Sequence, residues 1–284
     1  MTHSFVSIGY NAVLYSVQIL KRGSKKRMRI LRAYVHYIFS YLFLGCVWGH
    51  QKRKERFLKY TIHFFDYATF IYLIEEIFIK KEYECELGTE TPFIIDCGAN
   101  IGMATLGFKE RYPRSTILAF EPSKKTFELL ERNVRDNKLQ NVHIRNVALG
   151  EREGKITLFS EKTKRGSLVA SVIRERIQND VEKEEVNVVT LSSFIKKKVD
   201  LLKIDVEGAE TAVLEELDKA GKLRFVRRMI IEYHHNIGRD KRALGKFLTL
   251  IEKNGFQYNI GAQYLYPYKK RQVQDIMIYC ARKE

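Results

Sequence analysis

Residues Phe93 to Pro122, reading FIIDCGANIGMATLGFKERYPRSTILAFEP, constrain the fold more than any other stretch of the chain. An apolar run ends in Asp96, a glycine-rich turn opens a helix, and a second apolar run ends in Glu121. A doubly wound α/β sheet uses this order to hold a nucleoside, with the acid at the second strand end accepting hydrogen bonds from ribose.

The turn can be read residue by residue. Phe93, Ile94 and Ile95 form a short buried strand that delivers Asp96 to its carboxyl end. Gly98 and Gly102 let the backbone take positive φ or let a ligand approach the main chain. Asn100, between them, tolerates the left-handed region or caps the next helix. The spacing D-x-G-x-N-x-G differs from the G-x-G-x-x-G fingerprint, in which a helix amino terminus receives a pyrophosphate. A pyrophosphate cofactor is therefore disfavoured; with the flanking strands, Asp96, Asn100 and Glu121 all in place, S-adenosylmethionine is the favoured nucleoside and other nucleoside ligands are the alternative. Glu121 follows Asp96 by 25 residues and Pro122 stops the strand.

The same alternation continues downstream. Lys124 to Asn137 predicts a helix, and Val142 to Val147 a strand followed by Ala148-Leu149-Gly150. Val199 to Glu210, VDLLKIDVEGAE, begins as a buried strand and releases Asp205 and Glu207 before turning through Gly208 into a helix. Phe225 to Ile231 predicts a further strand, ending in Glu232-Tyr233-His234-His235. Open α/β sheets bind ligands at this edge, so three strand ends are expected to share one crevice.

These blocks, IIDCGANIG, AFEPS, NVALG, LLKIDVEGAE and IIEYHH, resemble the FkbM family of S-adenosylmethionine-dependent methyltransferases. The resemblance implies an α/β, Rossmann-like class I methyltransferase sheet of seven mostly parallel strands, with an antiparallel last strand expected at Ile276 to Ala281. It also implies S-adenosyl-L-methionine as cofactor. Asp96, Gly98, Asn100 and Gly102 would lie around its methionine and ribose parts, Glu121 on the ribose with Ser123 beside it, and Asn146 and Ala148 at the adenine. The family's association with sugars and hydroxylated natural products implies a hydroxyl acceptor, such as a sugar, glycolipid or polysaccharide precursor.

An alcohol attacks a sulfonium methyl group well only if its proton leaves, so a general base is expected beside the positioning groups. The candidates are Asp205, Glu207, Glu232 and His234. Asp205 leads because it closes the most apolar strand, where desolvation raises a carboxylate's pKa toward the useful range. His234 is second. Each has a plainer role open to it: Asp205 and Glu207 as helix caps, Glu232 paired with a lysine, His234 as a loop residue. A divalent ion would need oxygen ligands; Asp205 and Glu232 offer two, no third is evident, and no metal is expected.

Between Gly154 and Thr190 the pattern departs from the core: Lys155 to Phe159 and Glu185 to Thr190 predict added strands. Lys164 to Ser171, between them, is read either as a flap over the acceptor or as a solvated hairpin tip. The four cysteines, Cys46, Cys85, Cys97 and Cys280, show no metal-ligand or C-x-x-C spacing, which suggests reduced thiols in the cytoplasm.

Residues 1–90 differ in kind, and 91–284 are expected to form the methyltransferase domain. The amino-terminal part reads as helices, aromatic and basic. Lys21 to Lys59 holds twelve Lys or Arg against Glu55 alone, +11 of the chain's +16. Ala33 to Gln51, nineteen residues without a charged side chain, is broken by His36, Ser40, Gly45, Gly49 and His50 and is marginal as a membrane span. Attachment of 21–59 to an anionic inner membrane face fits better, with a plain helical cap and a true span as the other readings. The basic charge also admits a nucleic-acid methyltransferase, disfavoured because the charge lies outside the catalytic block and no RNA- or DNA-binding motif is present. A non-catalytic, membrane-proximal scaffold is the remaining alternative.

Overall fold

The computed structural model describes residues 5–21, 27–44, 53–161, 170–171, 173, 181–237, 243–262 and 273–282. The chain opens with α1 (Phe5–Lys21) and α2 (Arg27–Phe39), the latter passing into a π-helical turn at Ser40–Leu44. Strands β1 (Lys54–Phe57) and β2 (Tyr60–His63) follow, then α3 (Tyr67–Ile74) and a second π-helical turn, Glu75–Lys80. Asp66 caps α3 by accepting the Thr69 N–H at 2.8 Å.

The α/β part runs β3 (Phe93–Cys97), α4 (Met103–Arg111), β4 (Thr116–Phe120), α5 (Lys124–Asp136), β5 (Val142–Arg145), β6 (Ala148–Leu149), β7 (Gly154–Glu161), β8 (Ala170–Ser171) and β9 (Val181–Val189). It continues with β10 (Leu201–Ile204), α6 (Glu210–Lys219), β11 (Arg228–His235), α7 (Ala243–Lys253), β12 (Phe256–Ala262) and β13 (Gln274–Arg282). The central sheet has seven strands in the order β12-β13-β11-β10-β3-β4-β5. Neighbours from β11 to β5 pair in parallel, and β13 runs antiparallel to both β11 and β12. This is the expected mostly parallel sheet, with the reversed strand where Ile276 to Ala281 placed it.

Both sheet faces are covered, as near-continuous apolar strands require. Ile95, Leu202 and Ile231 pack with α6 and α7 through Val213, Leu217 and Phe247. Ile94, Leu201 and Ile230 face the other way, toward Ala104, Phe108 and Leu130 of α4 and α5. The two added strands form as expected: β7 pairs antiparallel with β9, in a separate four-stranded sheet ordered β6-β9-β7-β8. Residues 164–169 of the expected flap lie outside the described residues.

The amino-terminal part is not purely helical. Phe57 pairs with Tyr60 across a two-residue turn, making β1 and β2 a hairpin. The turn is Leu58-Lys59, with Leu58 at φ 54°, and the absence of the usual Gly, Asn or Asp hides it from sequence reading. Phe57, Tyr60 and Ile62 are driven inward, against Tyr37 of α2 and Phe70 of α3. The same apolar cluster takes in Ile101, Met103 and Leu106, so the hydrophobic interior continues across residue 90. Two asparagines of α5 complete the joint. Asn133 Oδ1 accepts the His63 N–H at 2.7 Å while its amide donates to the His63 carbonyl at 3.0 Å. Asn137 treats Thr61 in the same way, at 2.7 Å in each direction.

No helix among the described residues is long and apolar enough to cross a membrane. Tyr34 and Tyr37, inside the uncharged stretch, are almost completely buried against the protein. Residues 45–51 of that stretch lie outside the described residues.

Candidate active site

The chain order reverses between β3 and β10, which lie side by side while their following helices cover opposite faces. A crevice opens at such a point. Here it is a cleft of about 670 Å³ that opens to solvent. Among the described residues, Gly98, Asn100, Glu121, Ala148, Asp205 and Glu207 line it, with an apolar wall that includes Val147 and Leu158.

Gly98 sits at φ 81°, and a Cβ there would fall 1.7 Å from the Asp205 carbonyl oxygen. Only glycine lets the two loops approach this closely. The Gly98 and Ala99 N–H groups donate to the Phe120 carbonyl at 3.0 and 2.8 Å, locking the turn to β4. Asn100, at φ 51°, directs its N–H to Glu121 Oε2 at 3.0 Å, and the Ser123 N–H donates to Oε1 at 3.0 Å. Burial pushes the Glu121 carboxyl up to about 7, against the opposing pull of those two amides. Each oxygen keeps accepting capacity toward the cleft, the pair of acceptors that the hydroxyls of a ribose diol can donate to.

Four residues expected at the cofactor are placed behind this wall. Asp96 is fully buried, accepting from the Thr105 hydroxyl at 2.8 Å and lying 3.3 Å from the Lys203 ammonium. Gly102 begins α4 in the left-handed region, where a Cβ would meet Leu130 Cδ1 at 2.7 Å. Ser123 precedes α5 and reaches the site only through its N–H. Asn146 donates to the Glu121 and Pro122 carbonyls at 2.9 Å each, holding the strand end in place.

Asp205 is the hinge between the cleft and an adjoining acidic chamber. Lys203, with only 2% of its side chain exposed, lies 3.3 Å from Asp205 Oδ2 as well as from Asp96, and donates to the Gly98 carbonyl at 2.7 Å. Burial alone would lower the lysine's pKa; the carboxylates Asp96, Asp205 and Glu232 outweigh it and raise it. Tyr83 donates to Glu232 at 2.6 Å and lies 3.4 Å from Asp205, its ring 5.0 Å from the Lys203 ammonium. Burial, followed by the charge of Asp205, pushes Glu232 up to about 8.

Glu232 and His234 lie within β11, opposite Met277 and Asp275, rather than beyond the strand's end. Pairing with the long β13 extends the strand past Ile231, and alternation then puts residues 232 and 234 on one face. His234 Nδ1 meets Glu210 Oε1 at 2.8 Å, and that oxygen accepts the Gly208 N–H at 2.9 Å. Nε2 faces Glu207 at 3.3 Å, Asp205 and Asp275 at 3.9 Å and Glu232 at 4.0 Å. Burial would lower the imidazole's pKa, but Glu207 and Glu210 overcome it and raise it to about 10. All four candidate proton acceptors thus meet in one place.

Sequence reading missed Lys203, Tyr83 and Glu210. A lysine inside the apolar run Leu201 to Ile204 was itself a signal, because a buried ammonium demands paired carboxylates. Tyr83 carried no such signal, since it arrives from the amino-terminal part through the turn at Glu75–Lys80. Glu82 and Glu76 come with it: burial raises both carboxyls, with Asp205 and Asp275 adding to Glu82 and Glu232 to Glu76.

A seven-stranded sheet with one reversed strand, a glycine turn after β3 and an acid ending β4 define a class I, S-adenosylmethionine-dependent methyltransferase. The model of the methyltransferase FkbM domain matches residues 96–258, more than half the chain, and this protein belongs to the FkbM methyltransferase family. It is similar to Methyltransferase 1 of Beauveria bassiana, 34% identical over 206 residues that cover 65% of this chain and 80% of the relative. It also resembles the 31-O-demethyl-FK506 methyltransferase FkbM of Streptomyces tacrolimicus, 27% identical across 65% of this chain and 81% of that one. Among solved structures, methyltransferase FkbM of Methylobacillus flagellatus matches with a TM-score of 0.48 and 14% identity, over 97% of this chain and 60% of that chain. S-adenosylmethionine is the cofactor, and the Glu121 carboxylate, the Gly98 backbone and the apolar wall suit it.

Proposed function

We propose that this enzyme methylates a hydroxyl oxygen of a sugar or sugar-bearing lipid. When bound, S-adenosylmethionine supplies a sulfonium methyl carbon, to which the acceptor oxygen bonds as the carbon–sulfur bond breaks and the acceptor proton leaves to the protein. Glu121 and the Gly98 turn bind and orient the cofactor. Asp205 and Glu207 border both cleft and chamber, so an acceptor lodged there is presented to the methyl group. Glu232 takes the proton: its pKa near 8 suits a base at neutral to mildly alkaline pH. Asp205, shared by Lys203 and Tyr83, and His234, held by Glu210, orient the acceptor.

The acidic chamber is the observation that carries this reading. Carboxylates accept hydrogen bonds from a polyol and repel a phosphodiester, which argues against a nucleic-acid acceptor. The Streptomyces relative is named for a substrate lacking a methyl group on oxygen. The deciding experiment offers labelled cofactor to glycans, glycolipids, small polyols and RNA. Label in the hydroxyl compounds is expected; label in RNA alone, or in no acceptor, would overturn the proposal.

The amino terminus supports a place of action at a membrane surface. Val13, Val17 and Leu20 of α1, Val35 and Phe39 of α2, and Phe43 beyond it are 42–67% exposed, close to Lys21, Arg27, Arg29 and Arg32. Apolar side chains beside cations suit the surface of an anionic leaflet, where each basic residue contributes about 1 kcal/mol. The proposed acceptor is therefore presented at a cytoplasmic membrane face.

A further inference from the structure

We propose that Asp205, Glu207 and His234 form a binding site for a divalent transition-metal ion, with Glu232 and Asp275 at its far side. Each of two overlapping groups, Asp205-Glu207-His234 and Glu232-His234-Asp275, brings its donor atoms within 4.8 Å of one another.

His234 provides the independent indication. Its side chain is 1% exposed, and Nε2 is enclosed by carboxylates from the loop after β10, from β11 and from β13. The four surrounding carboxylate oxygens stand 3.3–4.0 Å from it. Those separations exceed the roughly 2.7–3.2 Å of an N–H···O bond. They match ligand atoms held about 2.1 Å from a shared ion, which lie roughly 3 to 4 Å apart. On the opposite side of the ring, Nδ1 is fixed by Glu210, which the Gly208 N–H and, at 3.3 Å, the Val206 N–H fix in turn. A divalent ion takes the place of the Nε2 proton that the surrounding carboxylates otherwise hold on the ring, while Nδ1–H donates to Glu210, the arrangement that orients histidine ligands of metals.

A donor set of one imidazole and several carboxylates favours manganese, iron or zinc over magnesium or calcium. Placed between Asp205 and Glu207, the ion touches the wall of the cofactor cleft. On the hydroxyl-acceptor reading above, on which this role rests, it holds the acceptor oxygen and weakens its hold on the proton. Glu210 is a positioning residue, acting through His234.

The test uses the full chain, stripped of metal and titrated with Mn²⁺ alone, by calorimetry and electron paramagnetic resonance. One ion per chain is expected, bound more tightly than Mg²⁺. Glu207→Gln and His234→Asn should each weaken binding at least about tenfold, and Glu210→Gln by roughly 10- to 100-fold. Circular dichroism shows that each variant is folded; Glu207, less buried than His234, is the safer variant. Absence of stoichiometric uptake, or equal uptake in folded Glu207→Gln and Glu210→Gln, would overturn the site. Tighter Mg²⁺ binding would overturn the metal class. Transfer unchanged by a chelator would overturn the ion's role in transfer and leave the binding result standing. Mn²⁺ uptake without methylation of any hydroxyl compound would overturn the acceptor reading alone.

Discussion

At the scale of single residues, the site depends on two close approaches. Gly98→Ala sets a methyl group against the Asp205 carbonyl at a φ that alanine avoids. Calorimetry should show loss of S-adenosylmethionine binding, and an intact binding heat would mean the loops separate freely. Lys203 joins Asp96, Asp205 and the Gly98 carbonyl. Lys203→Met leaves buried carboxylates without their cation and is expected to cost about 3–5 kcal/mol in denaturant unfolding. For Glu232, burial raises the pKa to about 8, so the carboxyl is neutral below that pH and able to take a proton above it. The rate of methyl transfer should rise through pH 8, and Glu232→Gln should lower turnover roughly 10²- to 10⁴-fold and remove that rise. The sequence exposed Asp96, Glu121 and Asp205 because each ends an apolar run. It concealed what they do, because Asp96 faces a lysine from β10 and Tyr83 comes from more than a hundred residues before Glu232.

Among elements, β3, β4 and β10 were legible from short apolar runs ending in acids, and α5 from its charged, amphipathic spacing. The hairpin β1–β2 was not: its turn lacks glycine and asparagine, and its partner, α5, lies some seventy residues away. The side-chain amides of Asn133 and Asn137, one helical turn apart, meet the peptides of His63 and Thr61, two residues apart on the outer edge of β2. Asn133 also donates to the Ile101 carbonyl at 2.8 Å, beside the cofactor turn. Replacing it by leucine strips partners from buried backbone groups, at a cost of about 2–4 kcal/mol. A thermal melt unchanged in Asn133→Leu would show that water replaces those bonds.

On the scale of the whole molecule, charge is divided. The stretch Lys21 to Lys59 carries +11 and the rest of the chain +5, the difference from +16, while the chamber beside the cofactor is rich in carboxylates. Binding to anionic vesicles should fall steeply between low and high salt, with a further loss in Val17→Glu or Phe39→Glu. Equal flotation on neutral vesicles would remove charge from the attachment. The small sheet β6-β9-β7-β8 forms its own ladder, yet contributes Leu158, Ala148 and Leu149 to the cofactor cleft. Scaffold and doorway are thus separate pieces of architecture. A relative's segment grafted in place of residues 154–189 would keep the seven-stranded ladder intact while giving the enzyme a new threshold, and evolution has the same freedom to diversify what enters.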